Sequence, residues 1–291
     1  ADDAATLAAL DQLDLPRHFD IVRVPVGGPR TKPKALCYAL PLAGGEAADV
    51  GDIVRTIDVG YTAFGRMRRD DLLVNHIQPG DVVVGYASYG QATYETSYNG
   101  GMGSNGLTSA RHDVFDHAYA GKYPESFDPS LPEDVVYIGG KRLTETIDVD
   151  GQQIPIGKLV LSPTRTYLPL IKQLFTHLRP AMHGMIHCTG GGQTKVVKFI
   201  DNVKVIKDNF LPIPPLFELI QQVSGTGWKE MYQVFNMGHR LEVYLPEEKA
   251  AEAIALGEQF GIPAQIVGRV EAADVPEVEI RTPHGTFNYN E

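Results

Sequence analysis

Residues 240–271 read RLEVYLPEEKAAEAIALGEQFGIPAQIVGRVE, and this stretch decides the fold class. RLEVYL at 240–245 alternates on two faces, as a strand does, and AQIVGRVE at 264–271 is a second strand. Between them PEEKAAEAIALGEQFG at 246–261 carries the marks of a helix. Pro246 stands at its start, acids fill its first turn and Gly261 lies past its end. Working outward, VEIRT at 278–282 and MHGMIHCT at 182–189 read as strands, and PPLFELIQQVSG at 214–225 as a helix closed by Gly225. TYLPLIKQLFTHL at 166–178 is a helix with Pro169 in its first turn, KLVL at 158–161 a short strand, and TSARHDVFDHAYAG at 108–121 one helix. Nearer the start, DVVVGYA at 81–87 and GDIVRTIDVG at 51–60 read as strands, and ADDAATLAALDQLDL as a helix that Pro16 ends. Strands and helices follow one another without a regular βαβ rhythm, so the sequence predicts an α+β layered fold rather than a doubly wound one. Residues 88–106, rich in Gly, Ser, Tyr and Asn, have loop composition and divide the chain into two expected domains, 1–97 and 98–291.

Composition limits the function classes. The chain has 291 residues, with 36 acidic against 26 basic side chains and a net charge of −10, which repels phosphate backbones and argues against a nucleic-acid polymer as partner. At 43% hydrophobic and 21% charged it can build a packed core. Its apolar runs fall short of the ~18 residues of a membrane span, so no membrane partner is expected. Cys37 and Cys188 exclude a zinc site built of cysteines alone and argue against a secreted disulfide framework, which makes a cytoplasmic setting the expectation.

Several segments carry candidate chemistry. Gly101-Met102-Gly103-Ser104-Asn105-Gly106 has G-x-G-x-x-G spacing, but a polar stretch separates it from the preceding strand, so it is not a dinucleotide fingerprint. It remains a glycine turn leading into a helix, suited to an anionic group or serving only as a connector. Thr189-Gly190-Gly191-Gly192 follows the apolar strand directly, and three residues without Cβ let a ligand approach the main chain; a tight structural turn is the alternative. Alternation puts His183, Met185 and His187 on one face that ends at these glycines, which singles out His187 as functional or as a core histidine. GGEAADVGD at 44–52 offers Glu46, Asp49 and Asp52 as oxygen ligands for Mg²⁺ beside a nucleotide, or else is a solvated acidic loop. Neither H-E-x-x-H nor G-x-S-x-G occurs, which disfavours a zinc hydrolase and an α/β-hydrolase.

Seven blocks in order resemble one family: GGEAADVGD at 44–52, GDVVVGYASYG at 80–90, GSNGLTSAR at 103–111, LSPTRTYLPLI at 161–171, HCTGGG at 187–192, EMYQVFNMG at 230–238 and VGRVE at 267–271. The chain resembles phosphoribosylformylglycinamidine cyclo-ligases, the aminoimidazole ribonucleotide synthetases, in the form seen in Bacteroidetes-type bacteria. The resemblance implies a two-domain fold of that type with a shortened first domain, and a homodimer. It also implies ATP-dependent closure of formylglycinamidine ribonucleotide to aminoimidazole ribonucleotide in purine biosynthesis. On that likeness Ser104, Asn105, Gly106, Thr164, Arg165, Thr189, Gly190, Gly191, Gly192 and Asn236 are expected at the small-molecule ribonucleotide, with His187 as the catalytic group. Gly44, Gly45 and Glu46 are expected at ATP, and Glu46 with Asp49 at Mg²⁺. Two departures stand out: Gly27 occupies the place of an expected Asp, and Lys195 and Lys198 replace the usual Asn and Arg. Another ATP user of the same superfamily, and a ligand-binding protein without turnover, are the alternatives.

Overall fold

A computed structural model describes residues 72–290, and in it the stretch 240–271 folds as strand, helix and strand. The expected helix at 1–15, the strand at 51–60, and Gly44, Gly45, Glu46 and Asp49 lie outside the described residues. The strands are β1 (Asp81–Ala87), β2 (Thr146–Val149), β3 (Gln152–Pro155), β4 (Gly184–His187), β5 (Val203–Lys207), β6 (His239–Pro246), β7 (Ala264–Ala272), β8 (Glu277–Thr282) and β9 (Gly285–Tyr289). The α-helices are α1 (Leu107–Val114), α2 (Ala118–Lys122), α3 (Ile156–Val160), α4 (Leu168–His177), α5 (Pro215–Ser224), α6 (Trp228–Val234) and α7 (Ala250–Glu258). Seven strands form one sheet in the order β4-β6-β1-β7-β5-β8-β9, and β2 and β3 make a separate hairpin. Every neighbouring pair is antiparallel except β5 with β8, so the sheet is mixed, in keeping with the α+β expectation.

Helices cover both faces of the sheet. Val82 and Val84 of β1 and Leu241, Val243 and Leu245 of β6 join Leu170 and Leu174 of α4 and Ala253 and Leu256 of α7 in one core. Val83 of β1, Tyr244 of β6 and Val205 of β5 join Val114, Ile156, Phe217 and Met231, from α1, α3, α5 and α6, in the other. No described helix has a side-chain hydrogen bond from its N-cap residue. Packing therefore holds them, at about 1.5–3 kcal/mol for each fully buried Leu, Val or Phe.

Strand β1 lies inside the sheet, between β6 and β7. Three readings change. KLVL at 158–161 falls largely within helix α3; Ile156, Leu159 and Val160 are buried, and a short apolar run does not distinguish a buried helical turn from a strand. The single helix over 108–121 breaks at Phe115 and Asp116, which bridge to Lys141 and Gly139. Asp116 then steadies the next turn, its carboxylate accepting from the Ala118 N–H at 2.8 Å. Residues 88–106 are no loose connector, because Arg165 ties them down. Its guanidinium donates to the carbonyls of Ala87, Tyr89 and Gly90 at 2.8, 2.8 and 3.0 Å and to both carboxylate oxygens of Glu95 at 2.9 and 2.7 Å.

Candidate functional site

The pinned loop brings Ser104 and Asn105 to a small pocket beside the C-terminal end of β4, where Thr164, Thr189, Asn236 and Arg240 also line it. Met102, Cys188 and Val234 complete the lining. The loop is anchored here as well. Gly100 N–H donates to the Ser162 hydroxyl at 2.7 Å, and the Asn99 amide donates to the Pro163 carbonyl at 2.9 Å. Asn236 is the hub between segments. Its side-chain oxygen accepts from the Ser88 hydroxyl at 2.6 Å and its amide donates to the Gly101 carbonyl at 2.8 Å, so it shapes the pocket wall. Two roomier clefts, of about 770 and 1130 Å³, gather none of the candidate site residues.

The glycine turn after β4 divides its labour. Gly192, at φ +50°, lies so close to α6 that a Cβ would stand 2.6 Å from the Phe235 carbonyl oxygen. Gly191 takes the left-handed conformation, at φ +92°, that starts the 3₁₀ segment Gly192–Phe199. Gly190 alone faces free space; a Cβ there would meet only Asn105 Oδ1, at 3.8 Å. Thr189, just ahead of the glycines, lines the same pocket as Ser104 and Asn105, more than eighty residues away in sequence, while Gly190, Gly191 and Gly192 are not among its lining residues. Gly106 serves a different purpose, opening α1 at φ +75° from beneath the Phe235 ring. Lys195 donates to the Thr189 hydroxyl at 2.8 Å, which leaves that hydroxyl's own proton for another acceptor.

Arg165, expected to fork onto a ligand, is instead saturated by the five bonds to residues 87–95 and is 2% exposed. The guanidinium that lines the pocket belongs to Arg240, also 2% exposed. Its Nη2 donates to the Gly101 carbonyl at 2.6 Å, and its Nη1 is buried with no hydrogen-bond partner. Gly103 is packed so tightly on this group that a Cβ there would lie 2.4 Å from Nη2. The sequence gives Arg240 no role, because RLEVYL shows only a strand that alternates on two faces. The overlooked signal is that this alternating row begins two residues after Asn236-Met237-Gly238.

The same face of β6 continues into a buried charge cluster. The Glu242 carboxylate accepts from Lys207 Nζ, from His239 Nε2 at 2.9 Å and from the Tyr244 hydroxyl at 2.7 Å. Lys207 also donates to the carbonyl and side-chain oxygens of Gln193 at 2.6 and 3.0 Å. Although burial alone would raise it, the Lys207 and His239 contacts hold the Glu242 carboxyl down to about 2. Burial and the Glu242 charge push the Cys188 thiol up, so it supplies no thiolate to the pocket.

His187 stands at the end of β4 but does not line the pocket. It pairs in register with Leu241, so its ring lies on the other face of the sheet, 6.3 Å from the Tyr167 ring. Desolvation first, and then the Arg240 and Lys195 charges, lower its pKa to about 4, which leaves it neutral at pH 7. No group of three or more His, Cys, Asp or Glu among the described residues is placed to hold a metal ion. Among them, too, no helix is long and apolar enough to cross a membrane.

The pocket and all of the sheet but its edge strand β9 and the last residue of β8 fall within residues 78–281, which match the family described as AIR synthase related protein, C-terminal domain. The chain belongs to this family. The phosphoribosylformylglycinamidine cyclo-ligase of Methanocaldococcus jannaschii is 30% identical over 231 residues, 79% of this chain and 56% of that protein. The protein of the same name from Methanosarcina barkeri is 28% identical over 253 residues, 86% of this chain and 64% of that one. The chain therefore spans little more than half to under two thirds of the length of these family relatives. A solved structure of E. coli HypE, a hydrogenase maturation protein, overlaps 75% of this chain at a TM-score of 0.40 and 15% identity, too loose a likeness to place any residue.

Proposed function

We propose that the chain takes part in ATP-dependent closure of formylglycinamidine ribonucleotide to aminoimidazole ribonucleotide, and that the pocket over β6 holds one group of the ribonucleotide. One observation carries this reading: Ser104, Asn105, Thr164, Thr189 and Asn236, drawn from four blocks that resemble the cyclo-ligases, converge on one pocket. Phosphorylating the formamide oxygen turns it into a phosphate leaving group, and the amidine nitrogen then closes the ring. The chain's own residues have the work of orienting the substrate and screening its charge. Asn105 and Thr189 stand on either side of Gly190, where a ligand can lie against bare backbone. His187, neutral at pH 7 and on the other face of the sheet, is given no contact with the pocket in this reading. Gly44, Gly45, Glu46 and Asp49 are assigned to ATP and Mg²⁺. The alternative of a ligand-binding protein without turnover is the other outcome of the same test. ADP release is measured on the full chain with formylglycinamidine ribonucleotide, ATP and Mg²⁺. Substrate-dependent ADP release with formation of the aminoimidazole product is expected, and binding without turnover contradicts the enzymatic reading.

A further inference from the structure

Arg240 presents a physical problem that the protein alone does not solve. A guanidinium with a buried N–H and no acceptor is costly, because the group has given up water without replacement. The Gly101–Gly103 backbone fixes it in place through the Nη2 bond to the Gly101 carbonyl and direct packing on the guanidinium. Swinging out to water would break both. The pocket it lines has no acidic side chain, so its only formal charge is positive. Hydroxyl-bearing Ser104, Thr164 and Thr189 come from three separate segments around the same space. The Thr189 hydroxyl is polarised for donation by the Lys195 ammonium behind it. The enclosed space is small enough to admit one small group rather than a nucleotide.

We propose that this pocket is a site for a single phosphoryl group, seated against the Arg240 guanidinium within the ring of Ser104, Thr164 and Thr189. A tetrahedral oxyanion offers acceptors in several directions at once, which suits donors arriving from separate segments better than a planar carboxylate does. The proposal deepens the ribonucleotide reading and rests on it only for the natural carrier of the phosphate. Arg240 is then the residue that selects an anionic substrate.

Inorganic phosphate is the probe, titrated into the full chain at constant ionic strength set with chloride, with acetate as the planar comparison. In the wild-type chain, with arginine ¹⁵N-labelled, the Arg240 side-chain resonances are expected to shift saturably with phosphate and not with acetate. Calorimetry on Arg240→Gln should show phosphate affinity reduced roughly tenfold or more, and Arg240→Lys an intermediate loss, because a point charge replaces a fork. If the glutamine variant does not fold, the wild-type resonances decide alone. Unmoved Arg240 resonances at saturating phosphate, an equal response to acetate, or unchanged affinity in a folded Arg240→Gln overturn the site. The enzymatic reading fails separately: turnover without a phosphate response at Arg240 removes only this site, and a phosphate response without turnover removes only the cyclo-ligase reading.

Discussion

Strand β6 shows two different uses of one backbone. Leu241, Val243 and Leu245 face the apolar core built with α4 and α7. Arg240, Glu242 and Tyr244 face the other way, where charge is buried among hydroxyls, a lysine and the pocket. The first face stabilises by removing area from water and tolerates change in proportion to volume. The second holds groups whose isolation is expensive, so it is brittle when one partner is removed. A ligand site belongs on the second kind of face, since buried donors there are already oriented and desolvated.

The sharpest way to break the comparison is at the buried cluster. Glu242→Gln leaves the Lys207 ammonium buried without its counter-charge, and a loss of about 3–5 kcal/mol in urea unfolding is expected. The wild type also gains an acid limit from this group. Because the folded carboxyl is held down to about 2, its stabilisation is complete above the ordinary carboxylate range and is lost as pH falls toward 2. That segment of the pH-stability curve should flatten in Glu242→Gln. On the apolar face, Leu174→Ala removes a fully buried side chain and should cost about 2–5 kcal/mol without altering phosphate or substrate affinity.

The glycine turn refines the comparison at smaller scale. Gly192→Ala forces a Cβ against the α6 backbone at positive φ and should destabilise by at least ~1 kcal/mol in thermal melts. Gly190→Ala adds a methyl to open space and should stay within about 0.5 kcal/mol of wild type while weakening ligand binding. The smallest effect is expected at His187. Its lowered pKa means that the folded state resists protonation, so stability falls as pH drops from about 6.5 toward 4. His187→Ala should remove a small part of that slope, small because the ring is solvent-exposed. An unchanged slope would show that its surroundings do not disfavour the charged ring.

The regular elements are largely legible in the sequence because their signals are local. The helix over 246–261, the Gly225 stop and the β1 run carry their periodicity and caps in adjacent residues. What escapes depends on distant partners. Arg165 reads as a ligand fork until five acceptors from 87–95 are seen to occupy it. His187 reads as a pocket residue until strand register turns it to Leu241's face. Arg240 and Glu242 receive no role in the sequence because alternation shows that a strand has two faces, not what covers the second. The site segments Ser104–Asn105, Thr164, Thr189 and Asn236 are legible through family resemblance, and their convergence on one pocket is visible only in three dimensions.

The affinity of the full chain for formylglycinamidine ribonucleotide, measured by calorimetry for wild type, Arg240→Gln and Leu174→Ala at a temperature where all three are folded, tests the division of β6 most directly. Arg240→Gln is expected to lose roughly tenfold or more in affinity, while Leu174→Ala, though less stable, binds as wild type does. Wild-type affinity in Arg240→Gln, or an equal loss in both variants, would contradict a ligand site on the polar face of β6.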